Sequence, residues 1–231
     1  MLSPLTPVEV NALLLSLKVA FWAVLCALPF GVMLAWVLSR LHFPGKSFLD
    51  ALLHLPLVLP PVVIGYLLLV ALGRNGIIGR ILNEHLGISI AFTWKGAVAA
   101  SIVMAFPLLV RAVRLSLDAV DARLEMAART LGAGPWRVFF TVTLPLSIPG
   151  IVAGMVLAFA RSLGEFGATI TFVSNIAGQT QTLPLALYTM TQIPNGEEAA
   201  MRLCFIAIVI ALLALIGANW LEKRFARHFE A

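Results

Sequence analysis

Five long, predominantly apolar runs without a formally charged residue dominate this chain of 231 residues. The runs contain 21, 23, 15, 23 and 19 residues and cover 19–39, 51–73, 96–110, 138–160 and 203–221. About 20 apolar residues in a helix span the hydrocarbon core of a bilayer. Charged residues make up only 12% of the chain, whereas about 25% is usual in soluble domains. The sequence therefore predicts an integral membrane protein and excludes a soluble globule.

Each run is predicted to be helical, because lipid offers no hydrogen-bond partners to an open backbone. We expect an all-α protein in which residues 1–231 form a single transmembrane domain. The five transmembrane helices are placed near 11–38, 51–73, 91–113, 142–172 and 201–221. The first ten residues contain no basic residue, so we expect no removable signal peptide.

The basic residues between the runs predict an orientation. The connections after the first, third and fifth runs carry ten of them, and the opposite side carries two, Arg74 and Arg80. Basic residues are enriched on the cytoplasmic side of membrane proteins. The N-terminus is therefore predicted to lie outside and the C-terminus in the cytoplasm, and the net charge of +5 requires no nucleic-acid partner.

Three prolines interrupt the second run. Pro56, Pro60 and Pro61 lack the backbone donor that a helix needs, so the helix should bend or open there. Inside a membrane such breaks persist where protein or a water-filled cavity satisfies the freed carbonyls. Two interpretations remain open, a kinked packing helix or a helix bent around a transport pathway that includes Pro60 and Pro61.

The fourth run carries small residues at every fourth position. They are Gly150, Gly154, Ala158 and Ser162. On a helix this spacing builds a face that allows close approach of another helix. We predict a packing face, which can serve within one chain or between two copies.

Arg161 and Glu165 are charged residues inside the same predicted span. Their spacing places them on one helix face, where they can form an ion pair. Charges inside a membrane are costly and usually face an interior or an aqueous cavity. The pair is either structural, or Arg161 attracts an anion while Glu165 orients it. The candidate pathway also includes Thr169 of the polar segment 166–196, in which 182–192 has helix-like composition.

The connection between the third and fourth spans has its own helical pattern. Asp121 is a candidate N-cap, Glu125 and Arg129 have the spacing of an ion pair, and Gly132 should end the helix. Its small apolar face consists of Leu124, Ala127, Ala128 and Leu131. Such a helix either docks against another protein or lies on the membrane surface.

This connection resembles the EAA loop of ABC-importer permeases, in which Glu-Ala-Ala is followed by a glycine and an apolar-x-Leu-Pro ending. The matching residues are Ala127, Ala128, Gly132, Val142, Leu144 and Pro145. Met126 stands where the family often has its glutamate, and Glu125 lies one position earlier. The resemblance implies that 118–145 docks onto a separate ATP-binding subunit. The docking residues it implies are Leu124, Glu125, Ala127, Ala128, Arg129, Leu131, Gly132, Leu144 and Pro145.

Further segments are similar to the oxyanion branch of these permeases. RSLGEFGATITFVSN at 161–175 resembles permeases for molybdate, tungstate and sulfate, and LPLVLPPVVIGYLLL at 55–69 resembles the molybdate permeases. The resemblance implies the type I importer fold and import of molybdate, with tungstate or sulfate as the alternative. It also implies a homodimer, two copies of a cytoplasmic ATP-binding subunit, a periplasmic molybdate-binding protein and a bacterial inner membrane.

The chain has no motif for ATP or metal chemistry. Pro44-Gly45-Lys46-Ser47 imitates the end of a phosphate-binding loop, but Arg40 occupies the position of its first glycine. The four histidines are far apart, so we expect no metal, no cofactor and no enzyme activity in this chain. A self-powered secondary transporter with Arg161 and Glu165 as a proton relay is the competing hypothesis. The absence of an inverted repeat and the docking loop argue against it.

Overall fold

The computed structural model describes residues 5–229, with the side chains of the last helix described up to 217 and at 220. Every regular element in that range is a helix. The long helices are α1 (Pro7–Arg40), α5 (Trp94–Ala119), α9 (Ile148–Leu163) and α12 (Glu197–Phe229). The shorter ones are α2 (Lys46–Val58), α3 (Pro61–Leu72), α4 (Ile77–Leu86), α6 (Ala122–Thr130), α7 (Pro135–Val138), α8 (Leu144–Leu146), α10 (Gly167–Val173) and α11 (Leu183–Gln192). A π-helical turn, Phe139–Thr143, joins α7 to α8.

Three to five segments are long and apolar enough to cross a membrane. α1, α5 and the Glu197–Gly217 part of α12 qualify as single helices, and two bent helix pairs qualify if each is one span. The all-helical prediction is confirmed, and five spans are compatible with this count. The basic side chains at Lys223, Arg224 and Arg227, which contributed to the predicted orientation, lie outside the described side chains.

The second predicted span, 51–73, is not one helix. α2 ends at Val58 and α3 begins at Pro61, and the two axes differ by 112°. The predicted proline break is confirmed at Pro60 and Pro61, whereas Pro56 lies inside α2. Two consecutive prolines lack both backbone donors and force the preceding residue into an extended conformation, so this is where the helix opens.

The fourth predicted span, 142–172, is also divided, and the prediction of one helix is wrong. The chain bends by 67° between the Pro135–Leu146 segment and α9, at Ser147. α9 then ends at Leu163 and is followed by the short helix α10. Pro149 cannot donate a backbone hydrogen bond, and Gly164 follows directly after the last residue of α9. Both residues weaken helix continuity where the divisions occur.

The core lies along α5, which packs between α1 and α9. Leu109, Val110, Val113 and Leu117 of α5 are almost completely buried. α9 approaches closely because its packing face carries glycine, and an added Cβ at Gly150 would lie 2.1 Å from the Ser116 Cβ. The predicted small-residue packing face is thus confirmed as a contact with α5.

A buried ion pair connects the first and last helices. Glu9 is 1% exposed, and its Oε1 accepts a hydrogen bond of 3.0 Å from Arg202 of α12. Its Oε2 accepts one of 2.6 Å from the backbone N–H of Thr6. Thr6 in return caps the start of α1. Because Glu9 is paired and hydrogen-bonded, its burial is tolerated.

Substitution of Gly150 should destabilise the fold. We expect Gly150→Ala to lower the free energy of unfolding by about 1–3 kcal/mol, because the new methyl group forces α9 away from Ser116. The matched control is Gly217→Ala, since an added Cβ there meets no atom within 4 Å. Denaturant unfolding in detergent, followed by tryptophan fluorescence, measures the difference. Equal stability of both variants would contradict close α5–α9 packing.

Candidate docking loop and anion pathway

The predicted docking loop is built around α6 and is stabilised by its own caps. The Asp121 side chain accepts a hydrogen bond of 2.9 Å from the backbone N–H of Arg123, as expected for an N-cap. α6 ends at Thr130, and Gly132 has a φ of +85°. Glycine adopts this left-handed conformation without steric cost. Helix start and stop therefore follow from the residues that the sequence singled out.

The loop exposes large apolar side chains. Leu131 is 89% exposed, and Leu124 and Met126 are about half exposed. Ala127 and Arg129 are also exposed, and Ala128, Leu144 and Pro145 are half-buried. A group of exposed apolar side chains rimmed by polar residues is typical of a protein interaction surface.

Glu125 differs from its neighbours on α6 because its side chain points inward. Its Oε1 accepts hydrogen bonds from Arg40 Nη2 at 2.7 Å and from Thr143 Oγ1 at 2.8 Å. The predicted ion pair with Arg129 is not formed, because Glu125 pairs with Arg40 of α1 instead. Glu125, one of the nine docking residues predicted from the sequence, thus has its charge satisfied within this chain.

Two exposed aromatic residues of the loop were missed by the sequence analysis. Trp136 is 69% exposed and stacks on Trp36 of α1, with ring centroids 6.2 Å apart. Phe140, also largely exposed, stacks on Trp136. The signal was present, because the loop contains the apolar segment PWRVFF although it connects two spans. These rings extend the exposed apolar surface of α6 towards α1.

A second polar cluster was also missed, and it joins α1, α2 and α5 near the same end. Arg114 Nη1 donates a hydrogen bond of 2.8 Å to Asp50, and its Nε lies 3.7 Å from Asp118. Asp118 in turn accepts a hydrogen bond from Ser39 of α1. None of the residues of α2, Asp50 included, is buried. The only sequence feature that pointed to this cluster is the position of these charged residues beside the uncharged runs.

The predicted pathway residues lie at the far end of α9. A helix of 16 residues is about 24 Å long, so α9 separates this group from the docking loop. Arg161 Nη1 lies 2.6 Å from Glu165 Oε2, which confirms the predicted ion pair as a contact. Glu165 is 2% exposed, and its Oε1 also accepts from the backbone N–H of Ala168 at the start of α10. Glu165 therefore connects α9 to α10 across the break between them.

The break between α2 and α3 lies against the break between α9 and α10. An added Cβ at Gly167 would lie 2.7 Å from Pro61 Cβ, and one at Gly65 would lie 2.6 Å from the Ala168 carbonyl oxygen. The α3 and α10 backbones thus touch through glycine. The structure brings Pro60, Pro61 and Glu165 into one region of the fold, as the pathway hypothesis requires.

Thr169 lies in this region but does not offer a free hydroxyl group. It is buried, and its Oγ1 donates to the Phe166 carbonyl at 2.8 Å and contacts the Glu165 carbonyl at 3.2 Å. Beyond it, α11 confirms the helix predicted at 182–192. A polar cluster connects the segment before α11 to this helix. In the cluster, Asn175 donates a hydrogen bond to Thr189 of α11, and Gln181 donates one to Asn175.

The candidate metal-binding and phosphate-binding features of the sequence can be compared with the described residues. No group of three His, Cys, Asp or Glu side chains that could hold a metal ion occurs among the described residues. The segment that imitates a phosphate-binding loop is the turn before α2, where Gly45 has a φ of +91°. It follows α1 rather than a buried strand.

The chain is similar to transport proteins over nearly its whole length. Residues 27–227 match the family described as binding-protein-dependent transport system inner membrane component. The chain is 63% identical over 219 residues to the molybdenum transport system permease protein ModB of Escherichia coli (strain K12), covering 95% of this chain and 96% of that protein. It is 61% identical over 216 residues to ModB of Haemophilus influenzae, covering 94% of both chains.

A solved structure shares the fold at low sequence identity. A bacterial ABC transporter involved in the import of the acidic polysaccharide alginate superimposes with a TM-score of 0.75, at 18% identity, over 95% of this chain and 80% of that one. The family match over residues 27–227 and the identity to the two permeases show that the chain belongs to the inner membrane components of binding-protein-dependent transport systems.

Proposed function

We propose that this chain is the membrane-spanning permease subunit of an ATP-driven importer that moves molybdate into the cytoplasm by alternating access. The observation that carries the proposal is its high identity, along nearly the entire chain, to permeases of molybdenum transport. The proposed location is a bacterial inner membrane, with the N-terminus outside and the C-terminus in the cytoplasm. The excess of basic residues on the connections after the first, third and fifth spans supports this orientation.

The proposed energy source is a separate ATP-binding subunit that docks on 118–145. The exposed apolar side chains of Leu124 and Leu131 support this role, because such a patch on a polar loop needs a partner. The basic residue Arg129 lies between them and is exposed as well. Two copies of the ATP-binding subunit, one for each permease chain, complete the proposed complex.

The proposed pathway lies between two copies of this chain. Molybdate is a dianion, and its transfer into hydrocarbon without polar partners would be prohibitively costly. One copy leaves α2 without a buried residue and Val58 81% exposed, which supports a second copy opposite the α2–α3 bend. A periplasmic molybdate-binding protein would deliver the anion from outside, and Arg161 would attract it at the α9–α10 break.

Reconstitution tests the proposed function directly. Proteoliposomes should contain this chain with its ATP-binding subunit, ATP inside and the molybdate-binding protein outside. We expect labelled molybdate uptake that stops when ATP is replaced by ADP or when the ATP-binding subunit is left out. Excess tungstate and sulfate report selectivity in the same assay. Uptake by this chain alone, driven by a pH gradient, would instead establish a secondary transporter.

Gly132 should be required for docking because of its backbone conformation. A side chain at its φ of +85° costs about 1–2 kcal/mol, so Gly132→Val should weaken binding of the ATP-binding subunit about tenfold. Gly134→Val is the matched control, since Gly134 has an ordinary φ of −69°. An added Cβ meets nothing within 4 Å at either glycine. The amount of ATP-binding subunit that copurifies measures the effect, and equal retention would contradict it.

A double variant separates a transport role of Arg161 from its contribution to folding through the ion pair with Glu165. Arg161→Gln leaves the buried Glu165 unpaired and is expected to impair folding. Arg161→Gln combined with Glu165→Gln removes both charges and should restore folded protein. If Arg161 attracts the anion, this folded double variant imports molybdate at least about tenfold more slowly than the wild type. Uptake at the wild-type rate would assign the pair a purely structural role.

A further inference from the structure

We propose that Glu125 is a positioning residue that transmits movement of the docking helix α6 to the membrane-spanning helices. The proposal rests on the proposed function, because it assumes that an ATP-binding subunit moves α6. It assigns a role to a side chain whose neighbours on α6 face outward. Glu125 would act through Arg40 and Thr143, and not by contacting the ATP-binding subunit.

The burial of Glu125 sets it apart from the rest of α6. It is 8% exposed, whereas Leu124, Met126 and Ala127 are all exposed. A glutamate is rarely buried unless it is paired. Its burial on an otherwise exposed helix of nine residues therefore indicates that the contact it makes inside the chain is its role.

One carboxylate oxygen of Glu125 connects three helical segments. It accepts hydrogen bonds from Arg40 Nη2 at the end of α1 and from Thr143 Oγ1 at the end of the π turn, at 2.7 and 2.8 Å. Arg40 Nη2 also donates to the carbonyl oxygen of Leu117 near the end of α5, at 3.0 Å. Hydrogen bonds that involve charged groups are short, directional and stronger than neutral ones, so they resist displacement of α6.

The connection continues from Thr143 into the core. The carbonyl oxygen of Thr143 accepts from Ser147 Oγ at 2.7 Å and from its backbone N–H at 3.1 Å. The Ser147 carbonyl accepts from Ser116 Oγ at 3.3 Å. Thr143 and Ser147 are both buried. Ser116 is the residue against which Gly150 packs, so hydrogen bonds lead without interruption from α6 to the α5–α9 interface.

The covalent connection at the end of α6 is softer than this polar link. Gly132 and Gly134 lie between α6 and α7, and nothing fills the space beside them. Gly132 belongs to the hydrogen-bonded cap of α6, since the Ala133 N–H donates to the Ala128 carbonyl at 3.1 Å. Glycine permits many backbone conformations, so the chain can absorb a displacement of α6 at Gly134. The hydrogen bonds of Glu125 bypass the glycines and deliver the displacement to α1 and to the bend at Ser147.

Thr143 offers a matched pair of variants for the test. Thr143→Val keeps the shape but removes the hydroxyl donor to Glu125, and Thr143→Ser keeps the donor. In the reconstituted complex we expect Thr143→Val to retain its ATP-binding subunit and its ATP hydrolysis. The molybdate imported per ATP should fall at least about fivefold, the lower end of typical coupling between sites. Thr143→Ser should stay close to the wild-type ratio, and Glu125→Gln should behave like Thr143→Val.

Glu9→Gln controls for the loss of any buried ion pair. Glu9 pairs with Arg202 at the opposite end of α1, so its substitution should leave the import ratio near that of the wild type. The proposal is overturned by an unchanged ratio in Thr143→Val or by an equal fall in Thr143→Ser. Loss of the ATP-binding subunit from the Glu125→Gln complex would also overturn it, because Glu125 would then only maintain the docking surface.

A conformational readout separates this proposal from the proposed substrate. A nitroxide label is attached through a disulfide to the new thiol of Gln179→Cys, at an exposed position, in a chain that also carries Cys26→Ser and Cys204→Ser. We expect its spectrum to change on addition of ATP in the wild type and in Thr143→Ser, but not in Thr143→Val. If the wild type responds to ATP without importing molybdate, the proposed substrate is wrong, and loss of the response in Thr143→Val still supports the role of Glu125. A full response in Thr143→Val contradicts that role.

Discussion

The need to satisfy the backbone inside lipid governs where this chain can depart from helix. Hydrocarbon offers no hydrogen-bond partners, so a break must be covered by protein. The break at Pro60 and Pro61 lies against Gly167, and Glu165 hydrogen-bonds the start of α10. Each bent span thus covers the irregular backbone of the other, which explains why glycine occupies both sides of the contact. The same region holds Arg161, so the pathway hypothesis and the packing requirement concern one place in the fold.

At the opposite end of α9, polar contacts connect helices to one another instead of covering a backbone break. There Arg40, Glu125 and Thr143 join α6, the proposed docking helix, to α1 and to the π turn, and Arg114 joins α2 to α5. A π turn within a helix often marks a functional site, and here its last residue carries the link. An apolar contact can slide, whereas a buried charge-assisted hydrogen bond has one favourable geometry. This difference would favour the proposed transmission of motion from α6.

Much of the local structure was predictable because it depends on neighbouring residues. Asp121 and Gly132 have backbone roles that their residue types favour, and both were predicted correctly. The spacing of Gly150 and Gly154 predicted a packing face in the same way. The partner of Glu125 was not predictable, since Arg129 on the same helix is the neighbour in sequence and Arg40 is 85 residues away. Trp136 and Phe140 were missed because aromatic residues in a loop have no periodic pattern.

The sequence by itself determined that the chain is helical, that it belongs in a membrane and which connection contains the short capped helix α6, the proposed docking site. These properties depend on the distribution of charge, on helix breakers and on a local motif, all of which are visible along the chain. Only the tertiary structure decided that the fourth predicted span is divided, that the α2–α3 and α9–α10 breaks pack against each other and that Glu125 faces inward. Those outcomes depend on which distant groups can satisfy a freed carbonyl or a buried charge, and that is a property of the packed helices.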